Sequence, residues 1–235
     1  MQFLVTAGNT REMIDRVRDW GNVFTGNTGR AIAEALAGYG KVDLLTSNTR
    51  HADDLQASGA GGGISVTLFK SHADLRSLLA ERVRSCVYDA IFMTAAVADY
   101  APGGVYEVVE RKLVKGGREQ WVVQDVSAGK VKSHFTEIAV TGTRTEKLID
   151  LFRNEWDFDG LLVKFKLEVG IAESKLIEVA EASRLASCAD YIVANTLDMV
   201  TGEHAGAWLL GKGLKERISR AELPNRLARL VARQP

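Results

Sequence analysis

The chain has 235 residues, so it is long enough for one large domain or two small ones and can bury a core without disulfides. Lysine plus arginine and aspartate plus glutamate both number 30, which gives a formal charge of zero. This balance gives no sign of general binding to nucleic acid or to a membrane surface, so any anion site must be local.

Cysteine and histidine usage argues against a disulfide framework or a zinc site. Cys86 and Cys188 are far apart in apolar, helical-looking surroundings, which is typical of buried thiols. The four histidines stand alone, without a second ligand at the spacing of a zinc motif. No signal peptide or long apolar run is recognisable, so we expect a soluble cytoplasmic protein with no metal site.

The first hundred residues alternate apolar strands with amphipathic helices, which predicts βαβ units and a parallel sheet. Residues 47–63 are polar and end in Gly59-Ala-Gly-Gly-Gly63, which predicts a mobile loop. Strands are expected at 3–7, 42–46, 64–69 and 88–94, and helices at 29–37 and 71–84.

The sequence pattern changes at Pro102-Gly-Gly104, where a β-rich insertion begins. This insertion, at about residues 103–140, is interpreted as a flap or dimerisation arm. Strand and helix patterns then return, and we expect one domain over residues 1–235. The insertion's strands are expected at 105–109, 120–123 and 135–140. Beyond it we expect helices at 145–152, 172–186 and 219–233 and strands at 161–165, 191–194 and 204–210.

The stretch between the first strand and the first helix is the main candidate for a ligand site. Thr25-Gly-Asn-Thr-Gly29 places two glycines and two hydroxyls at a helix start, where free N–H groups can hold a phosphate. An ordinary glycine-containing loop with a threonine cap fits these residues equally well. Asp99 follows the fourth strand and is expected to face the same crevice.

Common nucleotide motifs are missing. The first loop lacks G-x-G-x-x-G, and Thr46-Ser-Asn-Thr-Arg50 follows the second strand where an acid would bind a ribose. None of the five tyrosines has a lysine four residues on, and no Gly-Lys-Ser/Thr occurs. These absences disfavour hydride transfer and a Walker-type phosphate loop.

Several segments, in order, resemble the successive motifs of phosphopantothenoylcysteine synthetase, the second-step domain of the DNA/pantothenate metabolism flavoproteins. The chain is similar in particular to the stand-alone synthetases, which lack the fused flavin-binding decarboxylase domain. The matching segments are residues 8–29, Ala95-Ala-Val-Ala-Asp-Tyr100, Lys130-Val-Lys132, Phe165-Lys-Leu-Glu168 and Ala189-Asp-Tyr-Ile-Val-Ala-Asn195.

The resemblance implies an α/β, Rossmann-like parallel sheet flanked by helices, with the β-rich insertion as a flap. It implies a ligase of coenzyme A biosynthesis that joins 4′-phosphopantothenate to cysteine through an acyl-nucleotidylate. Mg²⁺ with CTP (or ATP) would be the co-substrate, with CTP expected in preference to ATP and with no tightly bound cofactor. It also implies a homodimer in which the flap reaches the partner's active site.

The resemblance also implies roles for individual residues. Asn22, Lys130 and Arg18 match the catalytic positions: Asn22 for the second half-reaction, Lys130 for neutralising the triphosphate, and Arg18 for a carboxylate or phosphate. The nucleotide-binding positions match Gly8, Thr25, Gly26, Gly29, Ala95, Asp99, Phe165 and Asn195. Without the resemblance, capping, surface ion pairing and core packing would account for most of them.

The chain departs from the family pattern at Asn9, Asn27, Ser133 and Thr196, where proline, lysine, lysine and aspartate are common. The changes at Asn27 and Ser133 remove positive charge from the triphosphate side, and Lys166 or Lys175 is a candidate to compensate. Two alternatives remain open: an NADP- or flavin-dependent reductase on the same sheet, and a non-catalytic nucleotide-binding paralogue.

Overall fold

A large sheet flanked by helices forms the body of the chain in the computed structural model, which describes residues 1–57, 60–202 and 205–232. The strands are β1 Gln2–Ala7, β2 Arg11–Met13, β3 Asp19–Gly21, β4 Lys41–Thr46, β5 Ile64–Leu68, β6 Ala90–Met93, β7 Tyr100–Val114, β8 Arg118–Asp125, β9 Ile138–Arg144, β10 Leu161–Glu168, β11 Tyr191–Thr196, β12 Gly206–Gly211 and β13 Leu214–Ser219. The α-helices are α1 Asn27–Ala37, α2 Arg50–Ala57, α3 His72–Ser85, α4 Leu148–Asn154, α5 Glu173–Ala186 and α6 Leu223–Val231.

The large sheet has the order β13-β12-β11-β10-β6-β1-β4-β5. Its strands are parallel from β11 to β5, and β12 and β13 add an antiparallel edge. The chain leaves β1 for β4 on one side and later returns to pair β6 on the other. In such sheets the crevice beyond the carboxyl ends at this reversal is the usual ligand site. The predicted α/β Rossmann-like parallel sheet is confirmed.

Alternating side chains of β1 are buried on both faces of the sheet. Phe3 and Val5 belong to one core, with Ile32 of α1, whereas Leu4 belongs to the opposite core, with Phe152 of α4. A strand covered on both faces has no polar side, which explains the continuous apolar run near the N-terminus. The covered sheet holds the carboxyl ends of β1 and β6 in fixed positions.

The insertion forms a separate three-stranded antiparallel sheet, with the order β8-β7-β9. The β-rich flap, predicted at about 103–140, therefore has strands that extend from 100 to 144. Gly116 and Gly117 make the β7–β8 turn with φ values of 87° and 72°, which glycine adopts without strain. Every residue of β8 is exposed, so the flap contributes little to the two cores.

Two elements in the first half differ from the sequence prediction. Residues 47–63 were predicted as a loop, but they contain α2 and a short 3-10 turn, Ala60–Gly63. The helical pattern is weak because α2 buries only His51 and Leu55 among its residues. The long connection before α1 contains the β2–β3 hairpin, whose three-residue strands are too short to show a periodicity.

The closing helix was predicted to begin too early in the chain. Ser219 ends strand β13 instead of beginning the closing helix, which starts at Leu223. The strand was missed because its partly buried side of Leu214, Glu216 and Ile218 contains a charged residue. The predicted edge strand begins at Gly206, and His204 and Arg233 lie outside the described residues.

The cysteines were also predicted wrongly: Cys86 is only half-buried and Cys188 is exposed, and both are free thiols. Cys188 follows the end of α5 with a φ of 51°, a turn that leaves its side chain outside the core.

No helix in the described part of the chain is both long and apolar enough to cross a membrane.

Candidate functional site

Two glycines allow the loop before α1 to approach the end of β1 closely. Gly26 caps the helix with a φ of 82° and has no side chain to bond the first amides. A Cβ at Gly26 would overlap the backbone nitrogen of Gly8 and lie 2.8 Å from its Cα. At Gly29 a Cβ would lie 2.8 Å from that of Ala7. Because no side chain caps α1, its first N–H groups are available to an anion.

A cavity of about 230 Å³ lies beyond the carboxyl ends of the central strands. It is bounded by the loop before α1, by Thr94–Ala96 after β6, and by parts of β10 and β11. The structure brings seven of the eight predicted nucleotide-binding residues to its wall: Gly8, Thr25, Gly26, Gly29, Ala95, Phe165 and Asn195. Their roles in binding stay predictions, but their common location agrees with the expected crevice.

Asp99 is the exception among the predicted nucleotide-binding residues. Its side chain is exposed and does not belong to the cavity wall. Its backbone carbonyl accepts a hydrogen bond of 3.0 Å from the amide of Thr145, at the base of the flap. An interaction with a ribose therefore stays a prediction.

Asn22 lies beside the cavity, after the β2–β3 hairpin. Its Nδ2 donates to the carbonyl of Ala96 at 3.3 Å, and Ala96 lines the cavity. The amide of Asn9 donates to the carbonyl of Asn22. Asn22 is exposed, so its amide remains reachable by a ligand. Asn9, which departs from the family pattern, thus helps to hold Asn22.

Arg18 and the segment that contains Lys130 are joined through a buried carboxylate. Asp15 accepts from Arg18 Nε and Nη2 at 3.0 and 2.5 Å and from the amide of Val131 at 3.1 Å. Arg18 Nη2 also donates to the carbonyl of Val131 at 2.9 Å. Lys130 itself is exposed. Two predicted catalytic residues, far apart in sequence, are therefore adjacent to one anchor, the Asp15–Arg18 pair.

The pKa of Asp15 lies well below its ordinary range, first because Arg18 donates to its carboxylate and then because the Val17 amide does so. A carboxyl group with a lowered pKa in the folded state stabilises the fold above its unfolded pKa of about 3.9, and this contribution is lost as the pH falls. We expect Asp15→Asn to lower the melting temperature at neutral pH and to lower it progressively less below about pH 4.

Thermal unfolding of wild type and Asp15→Asn across this pH range measures the effect. Asp53→Asn, on α2, is a suitable control because the side chain of Asp53 is exposed. A destabilisation by Asp15→Asn that is equal at every pH would contradict the proposed anchor.

The cavity wall includes one charged residue that the sequence analysis suggested, Lys166, and one that it missed, Arg220. Lys166 of β10 lines the cavity and forms an ion pair with Glu168 at 2.7 Å. Arg220 also lines it and donates to the carbonyl of Val200. Lys175 pairs with Glu178 on α5 and is not part of the wall. Of the two lysines considered as compensating charges, only Lys166 is therefore at the cavity. Arg220 was not recognised because it falls in the segment 219–233, which was predicted to be the closing helix.

Metal ligands do not cluster in the part of the chain that the structure describes. No group of three or more histidine, cysteine, aspartate or glutamate side chains there could hold a metal ion. A divalent ion at this cavity would therefore need its oxygen ligands mainly from a bound molecule, as Mg²⁺ commonly takes them from phosphates.

Similar proteins place the chain in a family. The model of the DNA/pantothenate metabolism flavoprotein C-terminal domain matches residues 1–123. The coenzyme A biosynthesis bifunctional protein CoaBC of Thermococcus kodakarensis is 28% identical over 227 residues, which are 95% of this chain and 49% of that protein. The chain thus spans about half the length of this relative.

Solved structures agree with the sequence relationship. The DNA/pantothenate metabolism flavoprotein from Streptococcus pneumoniae is 26% identical, with a TM-score of 0.78 over 99% of this chain and 98% of that chain. A Cab2 mutant in complex with phosphopantothenate-cysteine is 14% identical, with a TM-score of 0.66 over 98% of this chain and 85% of that chain, and shares the fold. Because the family model matches more than half of the chain, the protein belongs to the family of DNA/pantothenate metabolism flavoprotein C-terminal domains.

Proposed function

We propose that the protein is a phosphopantothenate–cysteine ligase of coenzyme A biosynthesis. The observation that carries the proposal is the cavity, where the uncapped start of α1 meets the ends of β1, β6, β10 and β11. Family membership and the name of the Thermococcus relative, a coenzyme A biosynthesis protein, support the same reaction. The two cysteines are free thiols, which agrees with a reducing, cytoplasmic location.

The first half-reaction activates a carboxylate that is by itself a poor acyl donor. The carboxylate of 4′-phosphopantothenate attacks the α-phosphorus of a nucleoside triphosphate, and pyrophosphate leaves. The N–H groups at the start of α1 are suited to bind the phosphates, and Lys130 would neutralise charge that develops on them. Mg²⁺ would enter with the triphosphate, and we propose CTP in preference to ATP.

The second half-reaction transfers the acyl group to cysteine. The cysteine amine attacks the acyl carbon, the nucleoside monophosphate leaves, and the amine loses a proton. The amide of Asn22, beside Ala96 at the cavity, would donate to the acyl oxygen during the attack. Arg18 would bind a carboxylate or phosphate through its guanidinium donors, or would hold the segment of Lys130 in place through its hydrogen bond to Val131.

Pyrophosphate release by the purified protein tests the proposal. The assay contains Mg²⁺ and 4′-phosphopantothenate, with CTP or ATP, and with or without cysteine. We expect release that depends on phosphopantothenate and a ligated product only when cysteine is present. Nucleotide binding without turnover would instead identify a non-catalytic paralogue, and a dinucleotide carried through purification would identify a reductase.

The flap exposes apolar side chains that a partner subunit would cover. Leu113, Trp121 and Val123 share one face of the flap sheet, and their exposures are 81%, 44% and 43%. Arg111 and Glu119 lie between them on this face, so a contact here would combine apolar side chains with charged ones, as protein–protein interfaces commonly do. We propose a homodimer in which this face contacts a second copy of the chain.

Charge on this face should weaken the dimer. We expect Val123→Lys to shift the mass measured by light scattering from twice the chain mass of 25.6 kDa towards the monomer, because a lysine cannot be buried there unpaired. Val122→Lys is the matched control, since Val122 is equally exposed on the opposite face of β8. Dissociation by Val122→Lys alone would place the interface on the other face.

A further inference from the structure

A buried histidine lies behind the start of α1. His51 of α2 is fully buried, with its Nδ1 2.9 Å from Thr46 Oγ1 and its Nε2 3.4 Å from Asn27 Oδ1. Asn27 is the first residue of α1, is exposed, and lines the cavity. His51 itself is not part of the cavity wall, so any influence on a ligand must pass through Asn27.

The hydrogen bonds around Thr46 favour a ring hydrogen on Nε2 of His51. Thr46 Oγ1 accepts from the amide of Asn48 at 3.1 Å, so its single hydrogen is free to point at His51 Nδ1. Nδ1 is then an acceptor, and Nε2 carries the hydrogen. Burial, together with the charge of Arg30, lowers the pKa of His51, which agrees with a neutral ring that has one donor and one acceptor.

The donor at Nε2 faces the oxygen of the Asn27 side chain. With that oxygen turned towards His51, the amide hydrogens of Asn27 are directed away from His51, and Asn27 itself lines the cavity. The reverse orientation would present the amide oxygen to a bound phosphate and repel it. The same segment after β4 also holds the loop backbone, because Asn48 Nδ2 donates to the carbonyl of Thr25 at 3.0 Å.

We propose that His51 is a positioning residue that keeps the Asn27 amide turned so that its N–H groups donate to the phosphates of the nucleoside triphosphate. The proposal rests on the ligase function above. With His51 in this role, the neutral amide of Asn27 supplies an oriented donor at the helix start, where the family resemblance leads one to expect a lysine. In this arrangement Thr46 donates a hydrogen bond to His51, His51 donates to Asn27, and Asn27 donates to the phosphate.

Two substitutions separate the two ring nitrogens. The Oδ1 of an asparagine can accept from Thr46 in place of Nδ1, but the side chain is too short to reach Asn27. A glutamine can place an amide donor near the position of Nε2. With Mg²⁺ and either CTP or ATP as the probe, we expect His51→Asn to raise the Kd about fivefold and His51→Gln to recover most of this loss.

A double-mutant cycle distinguishes positioning from general support of the fold. In the Asn27→Ala background the effect of His51→Asn on the Kd should disappear, because the group that His51 orients is gone. An undiminished effect there would overturn the proposal. If the wild type binds neither CTP nor ATP, the ligase proposal fails first. If it binds one of them and the two substitutions act additively, only the role of His51 fails.

The tautomer can be measured in the wild-type protein. Nitrogen-15 shifts of the histidine rings at neutral pH should show a neutral His51 that carries its hydrogen on Nε2. The signal is assigned by its absence from His51→Gln. A hydrogen on Nδ1, or a doubly protonated ring, would overturn the proposed direction of the hydrogen bonds.

Discussion

Gly26→Ala is expected to abolish measurable nucleotide binding and to lower the free energy of unfolding by about 3 kcal/mol or more. The alanine would be held at a φ of 82°, and its methyl group would overlap the backbone of Gly8. Relief of this overlap moves the start of α1 away from β1, and this displaces the N–H groups that would hold the phosphates. Isothermal titration with CTP and ATP, together with urea unfolding, measures both effects.

Gly116→Ala is the control for backbone strain alone. Gly116 has a φ of 87°, but no atom lies within 4 Å of the added methyl group. We expect a loss of about 1 kcal/mol and unchanged nucleotide binding. Equal losses of stability in the two variants, with binding retained in both, would show that the contact between Gly26 and Gly8 does not matter.

Asn22→Asp is expected to separate the two half-reactions. The new carboxylate has the size of the amide but no donor, and it would repel the acyl oxygen as negative charge develops on it. Formation of the ligated product should fall about 10²- to 10³-fold, as for loss of an oxyanion donor. Pyrophosphate release in the absence of cysteine should change much less, because it does not need this donor.

Single-turnover assays with and without cysteine measure the two steps separately. Asn154→Asp introduces the same charge at an exposed residue at the end of α4 and should leave both steps intact. An Asn22→Asp variant with full ligation activity would remove Asn22 from the proposed chemistry.

The sheet could be predicted from the sequence because its central strands are buried on both faces. An apolar run such as that of β1 has few alternatives when helical periodicity follows it, so the βα alternation was visible. The flap was visible for the opposite reason, since its glycine turns interrupt short alternating segments. By contrast, α2 and β13 bury few side chains, and their patterns were too weak to identify.

The candidate site was predictable where residues end strands or begin α1, because parallel strands bring such positions to one edge. Long-range partners were beyond the sequence. Arg18 could be seen as a donor, but nothing near it in the chain indicates that it bonds Val131, 113 residues away. The relation between Asn27 and His51 was hidden in the same way, since α2 itself was not recognised.

The order of strands in the large sheet has a consequence for how the protein folds. Phe3 of β1 lies opposite Ala90 of β6, which in turn lies opposite Leu161 of β10. Neighbouring central strands are therefore far apart in sequence, and pairing them closes long stretches of chain. Closing such loops costs chain entropy before any contact rewards it, and this makes folding slow. The cavity wall takes residues from β10 and from the segments directly after β1 and β6. If the proposed nucleotide site is correct, we expect nucleotide binding to return only in the last step of refolding.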